Sequence, residues 1–533
     1  MNRVPPGLSG RPDPVPGPAP VPVSRAGRDA WIPPVPRARL RRACLVPVLG
    51  ALLAAAGAPS RAAPDTTPPA WASLPMSFTL GAEPMRLPRG ERMGLVGGSL
   101  LFEASPGWWA GPGVYGAATG ERAGLFVGGI ELQRRARLSE RLVGALGLYA
   151  GGGGGGAAPV GDGLLVRPAA SLLWDFGGWQ AGLSLSGARF AGTDMGGTQL
   201  AVLVAWDGQF RHTDPARAGR ALPDARGSGL GFQQGQVSLV NWQLQDGSGR
   251  RIGLASARLV RPLGLPGLDA GFEMGAAATG GAGGYMEILG SLGASVQPWP
   301  GVQAGVRAAL GLGGGGAIAS GGGGLAKVSA HVGWSPLPNW TLGAEAGLVR
   351  GAGEMPRARS VQLWIGRDLQ PAARPDASSA PGTVAALEWT AGVQRMQRAA
   401  RRDGRRGPVD LVTGKLDRSL GPMLYLTAQA HSAFGGDAGA FSTGLLGLGW
   451  ATPAAGRPWR VGAELLAGAA GGAGLDTGGG AIGQALAWAS LAVGPHSHVR
   501  AGLGRVRALQ SGAGLDSPVW ELSFSHRFGL GAP

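Results

Sequence analysis

One arrangement of residues occurs three times along the chain, and it restricts the fold more than any other feature. LVGALGLYAGGGGGG (142–156), VQAGVRAALGLGGGG (302–316) and WRVGAELLAGAAGGAG (459–474) are versions of a single segment. Upstream of each lies a stretch of small residues: VYGAATGERAG (114–124), EMGAAATGGAG (273–283) and AHSAFGGDAGA (430–440). Downstream, Trp179 and Trp340 precede Arg189 and Arg350 by ten positions, and Ser497 precedes Arg507 by the same interval. Each copy closes on an alternating stretch: TQLAVLVAWDGQF (198–210), SVQLWIGRDL (360–369) and PVWELSFSHRF (518–528). A fixed internal period means one supersecondary unit built repeatedly, and the copies span 76–212, 229–370 and 382–529.

Alternation with period two marks strands. The first copy holds eight, near 76–82, 93–104, 111–119, 121–136, 142–152, 163–176, 178–190 and 198–210. Most reach about ten residues, the length a tilted strand needs to cross a bilayer core. Connections alternate too: LSE and FGG are tight, whereas MRLPRGE (85–91) and AGTDMGG (191–197) are longer. Short turns on one side and longer loops on the other are the arrangement of a transmembrane barrel. An even strand count returns each unit to its starting side, which puts the Pro/Ala/Arg-rich linkers 211–228 and 370–382 on one side. The fold expected is therefore all-β, an antiparallel transmembrane β-barrel of about 24 strands from three eight-strand repeats. One large barrel is favoured over three small ones in tandem. Inward positions such as Val143, Ala145, Gly147 and Tyr149 fill a small lumen poorly.

The last patterned residues are VWELSFSHRF, Val519 to Phe528. Trp520, Leu522, Phe524, His526 and Phe528 share one face; Glu521, Ser523, Ser525 and Arg527 share the other. This strand resembles the final strand of Gram-negative outer-membrane β-barrels. The resemblance is one of class, with no specific family, and five residues (GLGAP) follow the Phe here. It implies that Trp520, Leu522, Phe524 and Phe528 form the signal read by the barrel assembly machinery. Trp108, Trp109, Trp174, Trp179, Trp299, Trp334, Trp340 and Trp459 lie beside the predicted short turns, as in an interfacial aromatic girdle.

The leader fits this destination. Arg37, Arg39, Arg41 and Arg42 precede the short apolar run Ala43 to Ala58, and small-residue sites follow, with cleavage expected after Ala62. Residues 1–62 thus read as an Arg/Pro-rich leader plus a secretory signal peptide at about 37–62. No other segment offers about twenty uninterrupted apolar residues for a spanning helix. Cys44, the one cysteine, falls in the leader, so thiolate metal sites and cysteine catalysis are not expected after cleavage. Of the +16 formal charge, +7 lies in residues 1–63, where nine Arg face Asp13 and Asp29. The remainder is too diffuse for a nucleic-acid partner.

Few residues suggest chemistry. His496-Ser497-His498 sits in a turn without acidic neighbours, and a metal site needs about three or four ligands. Some eight-stranded outer-membrane barrels are lipid A hydrolases with a Ser/His/acid set, which singles out His431-Ser432. No acid is placed to orient that histidine. The glycine runs at 151–156, 313–316 and 321–324 lack the Lys-Ser/Thr of a phosphate loop and read as outer loops or thin strand ends. Arg189, Arg350 and Arg507 sit at the loop-facing end of each seventh strand. They are candidate rim or lipopolysaccharide contacts, or interfacial arginines that snorkel. The basic stretch 393–406 reads as a charged outer loop.

No catalytic, cofactor or metal residue is expected. The function expected is a passive or gated channel, or the membrane part of an export system, in the cell outer membrane. A structural or adhesive barrel without an open lumen and a lipid A-modifying enzyme are the alternatives. Partners would be outer-membrane lipid, lipopolysaccharide and the assembly machinery; nothing names a solute.

Overall fold

The computed structural model describes residues 70–533 apart from 88–89, 226, 354, 356, 371–381 and 454–455. The leader and signal peptide, with Cys44, lie outside the described residues. The first unit contains β1 (Ala72–Arg86), β2 (Arg92–Ser105), β3 (Trp108–Thr119), β4 (Phe126–Arg137), β5 (Leu142–Gly154), β6 (Leu164–Asp175), β7 (Trp179–Phe190) and β8 (Gly196–His212). A two-residue strand β9 (Ala221–Leu222) follows in the linker. The second unit contains β10 (Gln234–Leu244), β11 (Arg251–Pro262), β12 (Leu268–Ala277), β13 (Met286–Trp299), β14 (Val302–Gly314), β15 (Gly324–Leu337), β16 (Trp340–Gly351) and β17 (Ala358–Asp368). The third contains β18 (Gly382–Ala400), β19 (Arg406–Ser419), β20 (Leu424–Gly435), β21 (Ser442–Ala451), β22 (Trp459–Gly471), β23 (Ala481–Ala492), β24 (Ser497–Ala508) and β25 (Asp516–Ala532).

The strand count is the expected one, but the closure is not. β1 pairs antiparallel with β8 from Ala72↔His212 to Ala82↔Val202, and β10 pairs with β17 from Gln234↔Asp368 to Leu244↔Ala358. β18 pairs with both β19 and β25, the latter from Thr383↔Ala532 to Met396↔Val519. Each unit therefore closes on itself, giving three eight-stranded barrels in place of the single large barrel favoured from sequence. Closure is possible because bulky inward side chains fill the lumens, Tyr149 of the Gly/Ala-rich segment among them. Tyr149, Tyr285 and Trp242 lie fully inside, and Arg167, Arg258, Lys327, Lys415 and Arg500 reach across the lumens. Only an interior just wide enough for side chains has to be filled at eight strands.

Both ends of each barrel's chain emerge at one end, called here the turn end, where the connections are short. The opposite, loop end carries the longer connections. There the inward residues turn apolar: Met85, Met93, Leu95, Leu125 and Phe190 in the first barrel, Ile252, Leu254 and Met355 in the second. Met396, Val409, Phe441, Leu475 and Val519 do the same in the third.

The loops repeat in detail. Ala117, Ala277 and Ala433 donate their amides to the carbonyls of Leu125, Tyr285 and Phe441 respectively. The stretch 393–406 is corrected from a loop to the ends of two long strands, β18 and β19, joined by the short turn 401–405. Met396↔Val409 pairing holds them together.

The glycine runs take their meaning from what lies beside them. A Cβ on Gly163 would fall 2.5 Å from Gly439 Cα, and one on Gly284 would fall 3.0 Å from Gly472 N. One on Gly314 would clash with the backbone of Gly124. Ala123 N donates to Gly321 O at 3.1 Å across the same contact. These are three seams of one kind: the third-strand loop of each barrel abuts the fifth-strand loop of the next, in the order first to second, second to third and third to first. The runs divide between strand ends (151–154, 313–314 and 324) and the loops beyond them, and they allow backbone to meet backbone between barrels, which only glycine permits.

At the turn end, β9 pairs with β18, Thr213 pairs with Gly529, and Phe210 meets Phe528 edge-on at 5.5 Å.

Candidate functional site

The interior of each barrel is its most elaborated region. In the first, Arg167 donates from Nε and Nη2 to Glu83 at 2.9 Å each, and Ser186 Oγ adds a third bond at 2.6 Å. Glu131 accepts from Ser99 and, at 2.6 Å, from Gln133; Arg135 donates to Gln133 and lies over Trp109. A cavity of about 20 Å³ remains among these groups, little more than a single water requires.

The second barrel carries a ladder of alternating sign. Tyr285 Oη donates to Glu287, Lys327 bridges Glu287 and Glu273, and Arg258 bridges Glu273 and Glu345. Nearer the turn end, Arg307 pairs with Asp269 at 2.7 Å.

In the third barrel four donors converge on Glu464: Arg500, Tyr425 Oη at 2.9 Å, Gln429 at 2.8 Å and Lys415 at 3.4 Å. Lys415 also meets Glu521 at 2.6 Å, and Arg500 lies 4.2 Å from the Trp488 ring centroid. The chain's two lysines thus both sit inside barrels, Lys415 buried and Lys327 paired with two buried carboxylates.

Two charges taken from water cost several kcal/mol each unless geometry and hydrogen bonds return it. Bidentate and bridged pairs supply that here. Such networks cross each lumen at mid-height, beneath the apolar loop-end cluster.

The residues singled out from sequence fall as follows. Trp520, Leu522, Phe524 and Phe528 point outward on β25, and Glu521, Ser523 and Ser525 point inward. The strand does not stop at Phe528: Gly529 to Ala532 continue its pairing with β18. Arg189, Arg350 and Arg507 are all exposed on the outward face, within two residues of the loop-end terminus of β7, β16 and β24. His431 points into the third barrel, with Nδ1 2.8 Å from Thr443 Oγ1. Ser432 points the other way and pairs with Ser442 at 3.3 Å, so adjacent residues of one strand cannot form a dyad. His498 points inward, and His496 lies 3.9 Å from Asp214. Among the described residues no group of three or more His, Cys, Asp or Glu is placed to hold a metal.

Outward faces are apolar throughout, with Leu146, Leu185, Leu239, Leu292, Leu363, Leu465 and Leu503 all exposed. Trp108, Trp174, Trp179, Trp299, Trp334 and Trp459 are exposed at the turn end. An apolar outside, a charged inside and complete closure define the class: the chain resembles outer-membrane β-barrel proteins. No protein-family model and no curated protein sequence matches it. Solved structures similar to it include the outer membrane protein opdK from Pseudomonas aeruginosa, at 11% identity over 86% of this chain and 98% of that one, with a TM-score of 0.22. The siderophore receptor PirA from Pseudomonas aeruginosa matches at 10% identity over 85% and 80%, with a TM-score of 0.25. A TM-score in that range does not equate the architectures.

Proposed function

We propose that the protein resides in the outer membrane, exported by the leader at about 37–62, and forms a structural three-barrel scaffold without an open lumen. The observation that carries this reading is the double closure of each barrel by a mid-lumen ion network and an apolar loop-end cluster. In this reading Trp520, Leu522, Phe524 and Phe528 present the outward face recognised by the barrel assembly machinery. Arg189, Arg350 and Arg507 meet lipopolysaccharide phosphates at the rim, where a planar guanidinium suits a phosphate.

Cell fractionation and planar-bilayer recording test it. Recovery of the protein only by detergent, followed by silent bilayers, is the expected result. Recovery in buffer overturns the membrane placement, and regular conductance steps overturn the closed lumen.

One observation supports a second reading, a gated channel. The mid-lumen obstruction consists of strand-borne side chains, which can exchange partners without unfolding any segment. Glu345→Gln in the second barrel removes one carboxylate from Arg258, and voltage-dependent steps from that variant alone would favour gating.

A further inference from the structure

A second, partly open space lies outside the barrels. Between them is a cavity of about 2420 Å³ bordered by all three, with Phe78 and Leu80 from the first, Leu259 and Phe272 from the second, and Leu416 and Leu446 from the third. It exceeds the roughly 300–1,000 Å³ of an ordinary small-molecule pocket. Water filling it would lie against apolar walls, which is unfavourable by about 25 cal/mol per Å² of wall.

We infer that this space binds phospholipid, with the acyl chains between the barrels and the headgroup at the turn end. The inference rests on the membrane placement proposed above. Three features select this occupant. The wall continues the apolar exterior of the barrels, so whatever solvates that exterior also suits the cavity. The loop end is narrowed by the three glycine seams, where the backbones of neighbouring barrels touch. Five charged residues border it: Glu121, Asp207, Arg261, Glu287 and Lys415. Asp207 accepts from Gln180 in the first lumen, and Glu287 and Lys415 are paired in theirs, so the outward charges are Glu121 at the loop end and Arg261 at the turn end of β11, its Nη1 donating to Leu230 O at 3.3 Å. A phosphate is favoured beside Arg261 and disfavoured beside Glu121.

The test uses the full chain, extracted from membranes in mild detergent and exchanged into a second detergent. Native mass spectrometry and extraction then read the bound lipid. The wild type is expected to retain phospholipid at fixed stoichiometry. Arg261→Gln should lower retention several-fold. A variant carrying Ala257→Phe, Gly414→Leu and Ala428→Phe, all projecting into the space, should lower it further. Leu465→Phe, on the outer perimeter, should leave it unchanged. Heat-modified gel mobility confirms that each variant is folded, and Arg261→Gln decides if the triple variant is not.

Folded protein from the membrane fraction that retains no lipid overturns the inference alone. Retention of lipopolysaccharide instead overturns the phospholipid assignment. Protein recovered in buffer overturns the membrane placement and this inference with it.

Discussion

Arg258 holds two carboxylates, Glu273 and Glu345, inside the second barrel, and its removal should be felt throughout that lumen. Arg258→Met leaves Glu345 with the Ser329 hydroxyl as its remaining donor among the described residues, a loss of about 3–5 kcal/mol for a broken buried pair. Urea unfolding in lipid or detergent should report it. Arg189→Gln on the exposed rim should stay within about 0.5 kcal/mol of wild type. A pH effect belongs at the loop end, where Arg122 donates to Glu91 from Nε and Nη2 and holds its carboxyl below the ordinary value of 4.5. A depressed carboxylate contributes stability that is complete above its unfolded value and lost as pH falls through the folded one. Proteolysis of loop 120–125 should therefore accelerate only below about pH 4.5, and Glu91→Gln should remove that dependence. The interior charges were missed in the sequence, where the inward faces read as mostly small residues; the signal that could have found them is a single Arg, Lys or Glu in the inward row of an otherwise apolar strand. Their pairing was not legible, because partners such as Glu83 and Arg167 lie five strands apart in sequence order. The same alternation separates His431 from Ser432.

The strands themselves were written plainly in the sequence, since turns and alternation are local. What distinguishes one barrel from three is the pairing of first and last strands, which no local pattern encodes. β25 shows the difference. Its outward aromatic face was legible, but Gly529 to Ala532 join its ladder because β18 is long enough to pair with them. Deleting residues 529–533 should leave the third barrel closed through Phe528↔Leu387 while loosening its junction with the first at Thr213. Comparison of heat-modified mobility with protease sensitivity in linker 213–225 would separate the two effects. The glycine seams allow a second test. Gly471→Val drives a side chain into the backbone of Gly284, whereas Gly444 has open space around it. Only the former should speed cleavage in loop 278–285.

At the scale of the whole molecule, the three barrels form a closed head-to-tail ring, and a covalent probe can read it. A Cβ on Gly128 would lie 3.6 Å from Ser432 Oγ across the first and third barrels, close to disulfide range. Gly128→Cys with Ser432→Cys should cross-link on oxidation and run as a compact species on non-reducing gels; mobility unchanged by reductant would contradict the ring. Rings of this geometry are ordinarily made by separate subunits, which come apart on dilution. Here the linkers hold each barrel at a high effective concentration beside its neighbours. Seams made of little more than glycine backbone, too slight to gather free subunits, can therefore persist however scarce the protein is in its membrane.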